Sequence, residues 1–537
     1  MHHVEGDSRD QWALLPARLD DYVAPDHPVR FIEAFVEGLD MAALGFTNAR
    51  LGTTGRPPYA PQVLIKLYLW GYLNRVRTSR KLERETERNL EVLWLVRKVR
   101  PDYKTIAEFR RKNGAALKKL FKVFVELCKE MEVLGGELVA IDGTKIQANN
   151  SKKRYFRKGD LEKRVEALDR QIERYFQAMD QADREEGPPP ERQGITPEQV
   201  AAMQERLKRY RGYWETMEQN GETQIALTDP ESREMKSGQG TQIAYNVQTA
   251  VDAKHHLVVA VEVTTEATDR RQLETMAKAA KEALGVEALD VVVDRGYEEA
   301  DRIKACEDAG IRVHIPEPKS TVPLHPGIPE PAYHEDRFIY DAKQDAYRCP
   351  AGKVLTYRGM CTQRDKRMRR YQSRECKTCA VRGHCTQAQR GRTILRWEHE
   401  AVLERVRVRS KTHPEIMAKR KCLAEHPFGT VKRGWDQGYF LLRGQPKVMT
   451  EACLSFLAYN MRRVLTIFDV PEIIRRMKDK LGALCARVSA LCASASLPPS
   501  LKHPFPLRTV LQSLFMPSPR ICASLTPQKH RRTLFQS

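Results

Sequence analysis

Apolar positions along the first 135 residues recur every three or four places, the spacing of helices that bury one face. Pro61 is placed to start the first long helix, "QVLIKLYLWGYLNRV". "TSRKLERETERNLEVLWLV" makes a second, with Thr78 or Ser79 as its cap, and "KTIAEFRRKNGAALKKLFKVFVELCKEMEVL" a third. Thr105 and Glu108 stand at the spacing of a capping box, in which each side chain satisfies the other's exposed amide. After residue 135 the period changes. "GELVAIDGTKIQA" holds a short apolar run, Leu138 to Ile141, that ends at Asp142 and a glycine. "TQIAYNVQTAVDAKHHLVVAVEVTTE" reads as two strands about a turn at "DAKHH", and "RRQLETMAKAAKEAL" as a helix. "ALDVVVDRGY" is a buried strand ending in Asp294, "EEADRIKACEDAG" a helix stopped by Gly310, and "IRVHIP" a further strand. Strand, hairpin, helix, strand, helix, strand describes a mixed α/β sheet.

Two insertions interrupt this sheet. Within 158–222, Leu161, Val165, Leu168, Ile172, Tyr175 and Met179 alternate steps of four and three. Val200, Met203, Leu207, Tyr210, Trp214 and Met217 do the same after "GPPPERQG". Heptad spacing on two joined segments predicts an antiparallel helical hairpin, with a structural or dimer-forming role. The second insertion, 316–400, opens with prolines and carries a group of cysteines. Residues 471–537 form a basic tail rich in Ser, Pro, Leu and Cys, with no acid beyond Asp479, and are expected to be poorly ordered.

A net charge of +21 changes the picture of the partner. A surplus of that size favours a polyanion, because neutralised phosphates release counterions. Charge alone fits a basic protein indifferent to DNA equally well. No run of about 18 apolar residues reads as a membrane span. The polar start, "MHHVEGDSRDQW", lacks the apolar core of a signal peptide, so a cytoplasmic location is expected. The 12 cysteines then sit in a reducing compartment, as buried thiols or metal ligands.

Asp142 and Asp294, each at or just past the end of a buried strand, are the first candidates for chemistry. Two carboxylates brought together are costly unless a cation stands between them, and magnesium prefers oxygen ligands. Alternatively each aspartate only opens a turn, as "DG" and "DRG" often do. Arg77, Arg80, Lys81, Arg84 and Arg88 recur at helical spacing. They form either a phosphate-facing stripe or a solvated face paired with Glu83, Glu85 and Glu87. Cys349, Cys376, Cys379 and Cys385 suit a structural zinc knuckle or four buried thiols, with His384 and Cys361 as substitute ligands. Tyr297, Tyr245, Asn246 and Gln248 carry no catalytic role on sequence alone; Asp252 is most simply a turn residue and Trp435 a core residue. Glu425 stands apart, an acid in the basic and aromatic stretch "LAEHPFGTVKRGW" with Pro427 and Gly429 close behind it.

"AIDGTKIQANNSK", "YNVQTAVDAKHHLVVA", "VVVDRGY" and "EHPFGTVKRGW" together resemble bacterial insertion-sequence transposases of the Asp-Asp-Glu (DDE) type, nearest the group numbered eleven-eighty-two. The likeness runs in order over about 11–470, through "RTSRKLERETERNLEVLWL", "LTDPESREMK" and "LRGQPKVMTEACLSFLAYNMRRVL". It implies a ribonuclease-H-like catalytic domain over 136–470, preceded by a helical DNA-binding domain, 1–135. Asp142, Asp294 and Glu425 are then the catalytic residues and the ligands of two Mg2+ or Mn2+ ions. Lys432 matches the family's lysine beyond the glutamate and implies a DNA phosphate contact, with Arg433 beside it. The family's tyrosine and arginine ahead of the glutamate correspond here to Ala418 and Lys421. The implied partners are the element's terminal inverted repeats and target DNA, engaged by a homodimer, with no membrane involved. The implied reaction is hydrolysis at the element's ends, followed by attack of the freed 3′ hydroxyls on target phosphates. A non-catalytic or domesticated DNA-binding copy, or a metal-dependent nuclease that cuts without joining, would use the same fold.

Overall fold

Two asparagines cut the long helices that the apolar spacing suggests. The computed structural model describes residues 18–50, 57–184, 196–238, 240–316, 328–478 and 480. Helix Pro61–Leu73 forms as expected, with proline in its first turn. The next segment divides into Ser79–Arg88 and Leu90–Leu95, because the Asn89 carboxamide accepts from Val92 N and starts a new helix. Asn113 likewise separates Tyr103–Lys112 from Gly114–Glu130, its side chain tied to Phe109 O and to both polar groups of Thr47. The expected Thr105–Glu108 box does not form. Asp102 caps that helix instead, accepting from Lys104 N and Thr105 N, and Glu108 pairs with Arg111 and Lys112. A single carboxylate satisfying two amides one turn earlier displaces the later cap.

The sheet is built around β1 (Leu138–Gln147). Short strands β2 (Tyr155–Arg157) and β3 (Gln224–Ala226) pair with each other, and β4 (Arg233–Ser237), β5 (Gly240–Asp252), β6 (Val258–Thr264), β7 (Leu289–Val292) and β8 (Ile311–His314) follow. β5 lies antiparallel along the whole of β1, and β6 turns back on β5. β7 lies parallel to β1 on its other side, and β8 parallel to β7. The order β6–β5–β1–β7–β8, with β4 extending the far end of β5, puts β1 and β7 side by side at the centre. This mixed α/β arrangement fits a ribonuclease-H-like fold. β1 does not stop at Asp142 as expected but runs five residues further. A strand ends where its ladder partner ends, and β5 continues opposite, through Gln248 against Gly143 to Ala244 against Gln147.

Helix Gln445–Ile467 is buried along most of its length and packs on Pro61–Leu73, Gly114–Glu130 and β6. Helices and sheet therefore share one continuous core. The expected boundary at 135/136 is a change of secondary structure without a break in packing. Residues 471–478, placed in the tail by composition, continue a helix from Val470 and bury Ile473 and Met477 in that core. Val470, Ile473 and Met477 lie at helical spacing, an apolar stripe too short to register amid basic neighbours. The remaining tail, 481–537, lies outside the described residues.

Lys158–Arg184 and Pro197–Gln219 run antiparallel: Lys158 meets Glu218, Glu162 meets Trp214 and Asp169 meets Arg211. The "GPPPERQG" turn lies outside the described residues. The cysteine-bearing region holds an unexpected antiparallel sheet: β9 (Ile339–Asp341), β10 (Ala346–Arg348), β11 (Val354–Gln363), β12 (Lys366–Gln372) and β13 (Thr393–Trp397). Phe338, Tyr347, Leu355, Tyr371 and Ile394 form its own small core. No described helix is long and apolar enough to cross a membrane.

Candidate active site

Alternation along β1 sends Asp142 to the same face as Ala140. Ala140 packs with Val292 of β7 and with Leu423 and Ala424 of the helix Pro414–Phe428. Each of the four lies one or two residues from a candidate acid. The packing thus sets the central strand that carries Asp142, the end of β7 that leads to Asp294 and the helix that carries Glu425 against one another, and the Asp294 charge reaches Asp142. Burial raises the Asp142 carboxyl to about 6. Asp294 and Asp269 push the same way, while the Gly143 N–H, 2.9 Å away, and Arg420 pull it down. Asp294 caps a short 3-10 turn, Arg295–Tyr297, by accepting from Gly296 N at 2.8 Å. Glu425 is exposed. Its helix is pinned by His426, whose Nδ1 lies 2.7 Å from the Tyr459 hydroxyl; that hydroxyl donates to His256 O.

The polar residues of β5 reach the same site. Asp269, in the loop after β6, accepts from Lys145 Nζ at 3.0 Å and from Asn246 Nδ2 and Gln248 Nε2, each at 2.7 Å. Gln248 is fully buried, and its Oε1 accepts from the Tyr297 hydroxyl. Burial, and then the charges of Asp269, Asp142 and Asp294, hold the Tyr297 phenol well above its usual range, so it remains a donor. Asp269 escapes a reading of the sequence because nothing in "TEATDRRQ" distinguishes it from a helix-start acid. Gln248 and Asn246 carried a signal, being polar residues on a strand with apolar neighbours on both sides.

Pro427 lies inside its helix, which runs to Phe428 and passes directly into a π-helical turn, Gly429–Gly434. The wider turn rotates Lys432 away from the face expected from two α-turns. Its Nζ donates to Lys145 O at 2.8 Å and Thr144 Oγ1 at 3.3 Å, docking on β1 beside Asp142. Burial lowers its pKa. Arg433 is exposed, and Trp435 is buried in the core. Lys421 is exposed one turn before Glu425, while Arg420 is the basic residue whose charge reaches Asp142. Arg77 leaves the expected phosphate stripe. It is buried, bonds Tyr439 O at 3.0 Å and Glu451 Oε1 at 3.2 Å, and stacks on Tyr439. Its position just ahead of the helix turns it inward. Arg80, Lys81, Arg84 and Arg88 are exposed, Arg80 over the Tyr103 ring and Arg88 paired with Glu85. Asp252 is the anchor of its turn, accepting from Gly135, Gly136 and Lys254 amides.

Cys349, Cys376, Cys379 and Cys385 line one cavity of about 20 Å3 beside the second sheet, and all four are free thiols. Among the described residues, no three His, Cys, Asp or Glu side chains stand within reach of one metal ion, here or at the aspartates.

Residues 17–112 match the family described as a transposase domain (DUF772), and residues 216–461 match the transposase DDE domain. The second match includes Asp294 and Glu425 but begins beyond Asp142, which owes its place in the site to the β1–β7 pairing. No curated protein matches the chain. A solved structure, the piggyBac transposase synaptic complex with hairpin DNA, is 10% identical over 88% of this chain and 83% of that one, with a TM-score of 0.25, too low to bear on the fold. With transposase domains matched at both its helical and its α/β part, this chain belongs to the DDE transposases of insertion sequences.

Proposed function

We propose that this DNA transposase cuts phosphodiesters at the ends of its own element through Asp142, Asp294 and Glu425, and joins the freed 3′ hydroxyls to target DNA. The observation that carries the reading is the packing of Ala140, Val292, Leu423 and Ala424, which draws three distant chain segments together. The donor set is oxygen-only and suits divalent magnesium or manganese. With no three protein ligands in reach of one ion, an ion here would be held by one or two carboxylates, with DNA phosphates and water completing its shell, as magnesium favours. Two such ions would supply charge for both the attacking and the leaving oxygen.

The chain's own residues do the positioning. Asp142 must lose its proton to take part, so its raised pKa favours reaction above about pH 6. Lys432 buttresses the strand that carries Asp142. Arg433, Lys421, Arg80, Lys81, Arg84 and Arg88 present exposed charge to phosphates. Pairing two DNA ends calls for a homodimer.

We also infer a zinc ion among Cys349, Cys376, Cys379 and Cys385. The four thiols share one small cavity, and Lys353 N–H already points at Cys349 Sγ from 3.2 Å. Uptake requires the loops that carry the thiols to close on the ion.

The test of the main reading uses supercoiled plasmid carrying the gene's native flanks, with Mg2+ or Mn2+. Wild type is compared with Asp142→Asn and Glu425→Gln. End-specific cleavage and joining, lost in both variants, is expected. Cutting without joining would leave a nuclease. Equal binding by all three proteins without cutting would leave a DNA-binding relic.

A further inference from the structure

The turn that bears Asp294 and the strand that bears Asp142 are linked by more than sheet pairing. Tyr297 ends the 3-10 turn that Asp294 caps. Its hydroxyl donates to buried Gln248 on β5, and Gln248 donates on to Asp269 Oδ1. Asn246 Nδ2 and Lys145 Nζ converge on that same oxygen, and Lys145 lies on β1 itself, three residues past Asp142. The chain of bonds therefore leaves the Asp294 turn, crosses β5 and returns to the Asp142 strand. Gly143 shows how closely the network is pressed against the site. A Cβ there would stand 2.1 Å from Gln248 Nε2 and 2.8 Å from Asp269 Oδ1.

We propose that Tyr297, Gln248 and Asp269 are positioning residues that set the separation of Asp142 and Asp294 and so the affinity of the site for its divalent ion. The proposal rests on the two aspartates being the metal-binding acids. A polar network that runs through a fully buried glutamine specifies one geometry, whereas packing alone tolerates several. Asp269 holds the network by charge: three donors share one of its oxygens, and Lys145 balances it. None of the three needs to touch DNA or the ion.

The test is Tyr297→Phe in the full-length chain, which removes one hydroxyl and keeps the ring. Three quantities are read: the melting temperature, Mn2+ binding by calorimetry, and the Mn2+ concentration for half-maximal cleavage of the native flanks. Losing one buried hydrogen bond is expected to weaken Mn2+ binding and raise the half-maximal concentration about fivefold, with cleavage at saturating Mn2+ restored. A lower melting temperature with unchanged Mn2+ affinity would overturn the proposal, since packing alone behaves that way. Should that variant fail to fold, Asp269→Asn, in a partly exposed loop, carries the same expectation and the same refutation. Asp142→Asn is run alongside. If it binds Mn2+ and cleaves as wild type does, the site reading falls and this inference with it. If it is inactive while Tyr297→Phe titrates as wild type, only the positioning inference falls.

Discussion

Replacing Asp142 with asparagine should abolish cleavage and make the protein more stable. The carboxyl moves from 3.8 to about 6 on folding, chiefly by burial. A shift of that size corresponds to about 3 kcal/mol. Because the folded value lies above the unfolded one, folding favours the protonated form. The penalty is small below pH 3.8, grows between 3.8 and 6, and is fully present above 6. Asparagine keeps the shape, retains an oxygen for the Gly143 amide and carries no charge to bury. At pH 8 the variant should therefore melt roughly 3 °C higher, taking about 1 °C per kcal/mol for one cooperative unit of about 460 residues. At pH 4 the two proteins should melt within about a degree of each other. Magnesium should narrow the gap at pH 8, because the cation offsets the same charge. Thermal melts at the two pH values, with cleavage assayed in parallel, decide the matter. A variant less stable than wild type at pH 8, by the same margin as at pH 4, would refute the argument that an uncompensated charge is buried there.

Gly143→Ala should cost about 1–3 kcal/mol by forcing Gln248 or Asp269 aside, read as a lowered melting temperature; an unchanged melt would mean that the network yields freely. Arg77→Met should cost about 1–3 kcal/mol by removing the cation hydrogen-bonded to buried Glu451 while Arg110 and the Leu441 and Leu442 amides still face it, and in protein that still folds the salt dependence of DNA binding should not change. Changing Arg80, Lys81, Arg84 and Arg88 together to Gln should lower the slope of log affinity against log salt by about 3–4 if all four meet phosphates, with little effect on melting. Metal analysis of protein purified under reducing conditions should find about one zinc per chain by tetrahedral thiolate coordination, lost on Cys376→Ser; a full set of four reactive thiols with no zinc would leave them as ordinary cysteines.

β1, β5, β6, β7 and β8 were legible as largely apolar runs bounded by turn residues, whereas β4 was not, because "REMKS" is mostly polar. The helix–strand order followed from the switch between periods of 3.6 and 2. Asp142 and Asp294 were legible as acids closing buried strands and Glu425 as a lone acid in a basic stretch, but joining the three rested on a resemblance, since their segments pack through Ala140, Val292, Leu423 and Ala424, which look like any core residues. The β9–β13 sheet escaped because "KRMRRYQ" reads as charge rather than as a strand. One face of β12 is filled by arginine, with Arg369 over Tyr357 and bonded to Tyr371. The inward turn of Arg77 was hidden for a related reason. An arginine is read as solvent-facing unless its carboxylate partner can be seen, and Glu451 lies hundreds of residues away.

The single core shared by the N-terminal helices, the sheet and the helix Gln445–Ile467 has a consequence for how DNA ends are measured. If, as proposed, the helices hold the repeat and the carboxylates cut it, the shared core of the described residues keeps the gripped stretch at a constant distance from the site. On that reading the protein would act as a ruler. Shifting the gripped sequence by half a helical turn of DNA would then present the wrong face of the duplex to the aspartates, and the continuous core of the described residues would not turn to follow it.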